Sequence, residues 1–235
     1  MNRLKFNKAV TRQNGTMEAD AISKNGRSPK SHTGRGNILT GVLHNSFSMK
    51  VFFTLALTAA STVISAQKLM GNISSLKGQR EVNVTIDFAG TLVNNQPEES
   101  YISVNTKEKN NADRDEWLYE WYEEMPEEAY EQFVKSLNDE IKQKRITAGY
   151  FPNAEYTIHI QVNNISPGVS QLKASNVGLT IYFVKTGQTT SFASIEYNRI
   201  WATWSHLYAH HVNRICRAFS CAGMNFGKMI NKNLN

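Results

Sequence analysis

Apolar and polar residues alternate in four segments of the chain, and this alternation predicts four β-strands. In the first segment, Val82, Val84 and Ile86 share one face while Asn83 and Thr85 occupy the other. Because successive side chains of a strand point to opposite faces, each segment is expected to bury one face of a sheet. The four predicted strands are Glu81–Gly90, Tyr156–Val162, Val177–Lys185 and Thr189–Tyr197.

Two further segments show the 3.6-residue period of amphipathic helices. The first is Pro126–Arg145, in which proline suits the first turn and basic residues lie at the C-terminal end. The second is Ser205–Asn231, whose apolar arc contains Val212, Ile215, Cys216, Phe219, Ala222, Gly223, Phe226, Met229 and Ile230. The polar segment 94–113 between the first strand and the first helix is predicted to be a loop.

The resulting order is β–α–β–β–β–α, which predicts an α+β fold. A strand–helix–strand start favours a parallel crossover, and the strands that follow favour an antiparallel meander. We therefore expect a small mixed four-stranded sheet with two helices packed on one face, formed as a single domain by residues 67–235.

The segment Met49–Gln67 has the pattern of a secretory signal peptide. Lys50 precedes an apolar run, and small residues lead to a cleavage site after Ala66. The run is shorter than the roughly 20 apolar residues of a membrane-spanning helix. We therefore predict a signal peptide at 49–66, Met49 as the true start, and residues 1–48 as a disordered, over-extended reading frame. The alternative is a disordered basic arm before an uncleaved anchor.

The basic charge of the chain is concentrated in this front part. The whole sequence has 26 basic and 20 acidic residues, of which residues 1–66 hold nine basic and two acidic ones. The remaining 17 basic and 18 acidic residues give residues 67–235 a net charge of −1. A near-neutral folded part argues against nucleic acid as a partner. The signal peptide predicts export to the periplasm or the extracellular space, with no transmembrane segment in the mature chain.

Aromatic residues are interleaved with acidic ones between positions 113 and 131. This composition suits a surface that binds a protein partner, or a cationic or sugar ligand. The alternative without a binding function is a solvated acidic helix face with aromatic residues that cover the sheet edge. A second aromatic segment follows the last strand. The candidate partner-binding residues are Trp117, Tyr119, Trp121, Tyr122, Trp201 and Trp204.

Histidines and cysteines cluster near the second helix. His206 and His210 have the i, i+4 spacing that can present two imidazoles to one metal, although two exposed histidines explain the spacing equally simply. Cys216 and Cys221 are five residues apart, too far around a helix for a disulfide. Cys216 is expected in the core, and Cys221 is expected to face outward.

The element order and the motif "AGMNFGKMINKNL" at Ala222–Leu234 resemble small exported envelope proteins of Gram-negative bacteria. Their fold is similar to the anticodon-binding-like domain of the TolB N-terminal domain and of the LpoB and CsgG lipoproteins. The chain departs from the lipoproteins because no lipid-attachment cysteine follows its signal, and it has an additional stretch at Ile200–His211.

The resemblance implies a non-enzymatic envelope domain that acts through protein–protein contacts, with an unidentified envelope protein as partner. It implies no catalytic residue and no cofactor. The alternative function is metal binding or sequestration by His206 and His210.

Overall fold

The computed structural model of the protein describes residues 69–234. The predicted segment 1–48 and the predicted signal peptide 49–66 lie outside these residues. Both stay predictions.

Eight strands form one mixed sheet in the described part of the chain. The strands are β1 Met70–Gly71, β2 Glu81–Asp87, β3 Leu92–Val93, β4 Gln96–Pro97, β5 Thr147–Gly149, β6 Tyr156–Ser166, β7 Asn176–Lys185 and β8 Ser191–Trp201. Strand order is β1-β8-β7-β6-β2-β5, and the short β3 pairs with both β4 and β6. β2 is parallel to β5 and β6, whereas β6, β7 and β8 form an antiparallel meander.

The described residues form three helices, one of which contains a π-helical turn. α1 is Glu98–Thr106, and the last helix, α4, is His211–Asn233. Between them, α2 (Asn111–Tyr119), a π-helical turn (Glu120–Glu124) and α3 (Met125–Ile141) run on as one continuous helix, since the residues at both junctions keep right-handed helical angles. Short 3₁₀ turns lie at Ser74–Leu76, Lys142–Lys144 and Ser205–Leu207.

The predicted four-stranded sheet with two helices is wrong, although the α+β class is right. The four additional strands have only two or three residues each, too few to show an alternating pattern. The predicted loop 94–113 contains all of α1 and the start of α2. The sequence did not reveal these helices because most residues of the segment are polar and form no apolar stripe. The last helix begins at His211 rather than Ser205.

The predicted parallel strand pair and antiparallel meander are confirmed by β2 with β6 and by β6 to β8, and these strands contribute much of the hydrophobic core. Val177, Leu179, Ile181 and Phe183 of β7 are all 0% exposed, as their shared face predicts. α3 and α4 pack on each other and on this side of the sheet.

Two glycines allow α3 and α4 to come close together. A Cβ atom on Gly223 would lie 2.2 Å from the carbonyl oxygen of Phe133, and one on Gly227 would lie 2.5 Å from Cβ of Glu140. Such distances are shorter than any real contact, so the helix pair needs glycine at both positions.

Both cysteines of α4 are free and buried. The core position of Cys216 is confirmed, and burial raises the pKa of its thiol. The outward orientation predicted for Cys221 is wrong, since the residue is only 4% exposed. The segment after β8 covers this side of α4, where Arg217 donates hydrogen bonds to the carbonyl and the hydroxyl of Thr203.

Candidate functional site

Trp117 and Trp121 lie in the core rather than on a partner-binding surface. They are 8% and 1% exposed, and their rings stack with centroids 5.5 Å apart and planes 5° apart. Tyr101 of α1 packs against both rings at 6.0 and 5.0 Å. The indole of Trp121 donates a 2.9 Å hydrogen bond to Glu98.

The helix that begins with α2 places Trp117 and Trp121 on the same side. Asn110 caps α2 by accepting a hydrogen bond from the backbone N–H of Asp113. Residues four apart on a helix lie one above the other, so Trp117 and Trp121 share the inner face. Tyr119 and Tyr122, between and after them, are 64% and 47% exposed.

His211, the first residue of α4, extends the tryptophan stack. Its ring lies 5.4 Å from that of Trp117 with planes 16° apart, and 6.2 Å from that of Trp121. Its Nε2 atom is buried without a hydrogen-bond partner in the described part of the chain. Burial lowers the pKa of His211 to about 4, so the ring is neutral at pH 7.

His210 and Glu120 meet His211 at this point. His210 Nε2 lies 2.9 Å from Glu120 Oε1, and the two imidazole rings are 4.8 Å apart. Glu120 belongs to the π-helical turn, and His210 is the residue directly before the first residue of α4. One potential ligand atom from each of Glu120, His210 and His211 lies within 4.8 Å of the other two. We call these three residues the Glu–His–His cluster.

Arg214 supports the chain next to this cluster. It is 8% exposed and donates hydrogen bonds to the backbone carbonyls of Pro167, Tyr208 and Ala209. Burial lowers the pKa of its guanidinium. The arginine thereby holds Tyr208, Ala209 and the loop at Pro167 against the first turn of α4.

His206 is not part of the cluster. It lies in the 3₁₀ turn Ser205–Leu207, whereas α4 begins only at His211. His206 and His210 therefore do not share the helix on which the i, i+4 argument depended. Metal binding by this pair stays a prediction. The spacing argument overlooked Glu120 and His211. On a helical wheel His211 lies at the same angle as Met229, at the edge of the apolar arc, and this is the sequence signal that its side chain turns towards the core.

Trp201 and Trp204 lie on the surface, as a partner-binding role requires. They are 48% and 69% exposed. Two backbone hydrogen bonds hold the loop 167–175 beside their segment. The N–H of Gln171 donates to the carbonyl of His206 at 2.6 Å, and the N–H of Ala202 donates to the carbonyl of Ser175 at 2.9 Å. We call the exposed apolar residues of the two segments the apolar loop patch: Val169, Leu172, Trp201, Trp204, Leu207 and Tyr208.

A polar cavity of ≈ 330 Å³ adjoins this patch. Trp201 and Val169 form part of its lining, together with the amides of several asparagines. Its charged lining residues are Lys173 and Arg199, both basic, and Arg199 lies 5.4 Å over the ring of Trp201. The rim of the patch is therefore positively charged on this side.

No helix among the described residues is both long and apolar enough to span a membrane.

No family model matches the chain, and no curated protein matches it. Among solved structures, the chain is similar to the PelC dodecamer from Paraburkholderia phytofirmans, with 11% identity and a TM-score of 0.35 over 66% of this chain and 96% of that one. A point variant of the same dodecamer gives 11% identity and a TM-score of 0.32 over 66% of this chain and 94% of that one. Likenesses this weak do not establish a shared fold.

Proposed function

We propose that this chain is an exported, non-enzymatic domain of the cell envelope that binds another protein through the apolar loop patch. The observation that carries the proposal is the exposure of Leu172, Trp204 and Leu207, at 83%, 69% and 66%. Clustered exposed apolar side chains of this kind mark interaction sites on protein surfaces. Tryptophan in particular contributes much of the binding energy at protein interfaces.

The backbone of Trp204 gives a second reason. Its φ is 60°, in the left-handed region, which costs a residue with a Cβ atom about 1–2 kcal/mol. Such conformations persist where the surroundings hold them and occur often at functional sites. Ser205 holds this turn, since its hydroxyl accepts a 2.7 Å hydrogen bond from the backbone N–H of Ser175.

The basic rim defines the chemistry of the partner. Lys173 and Arg199 favour an apolar segment of a protein that is flanked by acidic residues. Export and an envelope location rest on the signal-like segment Met49–Ala66 and on the resemblance to small envelope proteins, and both belong to this proposal.

Pull-down from an envelope fraction tests the patch. We expect the full chain to retain a partner that the Trp204→Ala and Leu207→Ala variants lose, because each removes exposed apolar area from the contact. Tyr150→Ala is the matched control, since Tyr150 is 55% exposed but lies next to β5, outside the patch and outside the predicted partner-binding residues. A partner that all variants retain would exclude the patch.

N-terminal sequencing of the protein from native cells tests export separately. A mature N-terminus at Gln67 supports cleavage after the signal peptide. An N-terminus within residues 1–48 would contradict the proposed location without affecting the patch.

A further inference from the structure

We propose that the Glu–His–His cluster binds a divalent transition-metal ion, with Zn²⁺ as the best-suited ion, through a carboxylate oxygen of Glu120 and an imidazole nitrogen from each of His210 and His211. This site is separate from the apolar loop patch and does not depend on the proposed protein contact. It also differs from the His206–His210 pair that spacing suggests.

The three ligand types match those of a zinc site with an open position. Two histidines and one glutamate, with water as fourth ligand, are a common tetrahedral set, with zinc about 2.0–2.2 Å from each atom. Atoms at that distance from one tetrahedral ion lie roughly 3.4 Å from one another. The three ligand atoms lie at most 4.8 Å apart, so their largest separation has to shrink by up to about 1.4 Å. The side chain of His210 is 40% exposed and that of Glu120 20%, so solvent-side rotation can supply this movement.

The protons of the two histidines are compatible with metal binding. The buried Nε2 atom of His211 has no hydrogen bond to lose among the described residues. At His210, the metal replaces the hydrogen bond to Glu120. In the bound state Nε2 of His210 has no proton and Nδ1 carries one, because only an unprotonated imidazole nitrogen can bind a metal.

Some of the charges around the cluster oppose the binding of a cation, and others favour it. Arg214 and Lys109 act on His211 as positive charges, and the N-terminal end of α4 adds a positive dipole. Opposing them, Glu124 and Glu128 lie along the same helix as Glu120, and Glu128 is close enough to His210 for the two to interact electrostatically. The acidic side chains therefore offset the cost of placing a cation at this helix end.

The local backbone is a second indication of a site. Glu120 begins a π-helical turn within an otherwise α-helical segment. Such turns are rare and occur frequently at functional sites. The stack with Trp117 holds the imidazole of His211 in place before any ion binds, which lowers the entropy cost of binding.

Calorimetric titration of the full, untagged chain with Zn²⁺ tests the site. We expect Glu120→Gln and His210→Ala each to weaken zinc binding at least about tenfold, since even residues that only orient a ligand contribute 10–100-fold. Titration with Co²⁺ gives a second readout, because the absorption bands of four-coordinate cobalt should disappear in the same variants.

His206→Ala is the matched control, because His206 is a neighbouring histidine outside the cluster. We expect this variant to bind zinc like the unmodified chain. Unchanged affinity in both Glu120→Gln and His210→Ala would overturn the proposal, and so would an equal loss in His206→Ala. His211→Ala perturbs the tryptophan stack, so the decision rests on the two more exposed ligands.

Discussion

The two aromatic segments of this protein, 117–122 and 201–208, contain two tryptophans each but lie in opposite environments. Trp117 and Trp121 are four residues apart on one helix, so both point to the same side and are buried. Trp201 and Trp204 are three apart at the end of a strand and in a turn, and both are exposed. Aromatic content alone does not mark a binding surface; the local periodicity decides which side chains can reach the core.

The strongest test of this comparison is Trp121→Ala. Trp121 is 1% exposed, stacks on Trp117 and bonds Glu98, so the variant leaves a cavity and removes that hydrogen bond. We expect a loss of about 3–5 kcal/mol in the free energy of unfolding, measured by urea denaturation. Tyr119→Ala, at an exposed neighbouring position, should change it by less than about 0.5 kcal/mol. Equal small losses would mean that the stack is not part of the core.

A smaller loss in the free energy of unfolding is expected from Gly223→Ala, which tests the close packing of α3 against α4. The new methyl group would meet the carbonyl oxygen of Phe133 and push α3 and α4 apart. Overpacking of this kind costs about 1–3 kcal/mol, again measured by denaturation. Asn225→Ala, two residues further along α4, serves as the control and should cause no comparable loss. A stable Gly223→Ala variant would show that the two helices can separate freely.

Tyr197→Phe tests the buried face of the sheet through its pH dependence. Tyr197 is 0% exposed, its hydroxyl has no partner among the described residues, and burial raises the pKa of the phenol above its usual 10.0. Above pH 10 the unfolded chain loses this proton and the folded chain keeps it, so stability should fall as pH rises.

At pH 7, removing an unpaired hydroxyl should be neutral or slightly stabilising. The Phe variant should therefore match or exceed the unmodified protein at pH 7 and lose less stability between pH 7 and pH 11, measured by thermal unfolding. A destabilised variant at pH 7 would indicate that this hydroxyl has a partner.

The smallest effect on stability is expected in the exposed aromatic segment 201–208. Trp204→Ala removes a side chain that is 69% exposed, so the free energy of unfolding should change by no more than about 0.5 kcal/mol. Partner retention should nevertheless be lost. A large drop in the melting temperature would instead show that Trp204 is a structural residue.

The four long strands and the two amphipathic helices could be predicted because each repeats its pattern over at least seven residues. β1, β3, β4 and β5 could not, since two or three residues contain no period. Helix α1 has no apolar stripe: Thr106 is buried, four residues are half-buried and the others are exposed. The half-buried residues are Glu98, Tyr101, Ile102 and Asn105, and Tyr101 packs against both tryptophan rings.

The candidate sites divide in the same way. The exposure of Trp201 and Trp204 agrees with the sequence pattern, because they follow the last apolar position of a strand. The Glu–His–His cluster joins residues 90 positions apart, a distance over which spacing carries no information. His206 illustrates the converse: its i, i+4 spacing to His210 had meaning only on a helix that begins later, at His211.

The sequence by itself determined the α+β class, the parallel crossover, the antiparallel meander and the apolar arc of α4, because all of these follow from local periodicity and chain order. Tertiary structure alone decided which residues cover Cys221 and how Glu120 meets His210 and His211. Those outcomes depend on which segment lies over another, and that is determined by packing of the whole core rather than by any single stretch of chain.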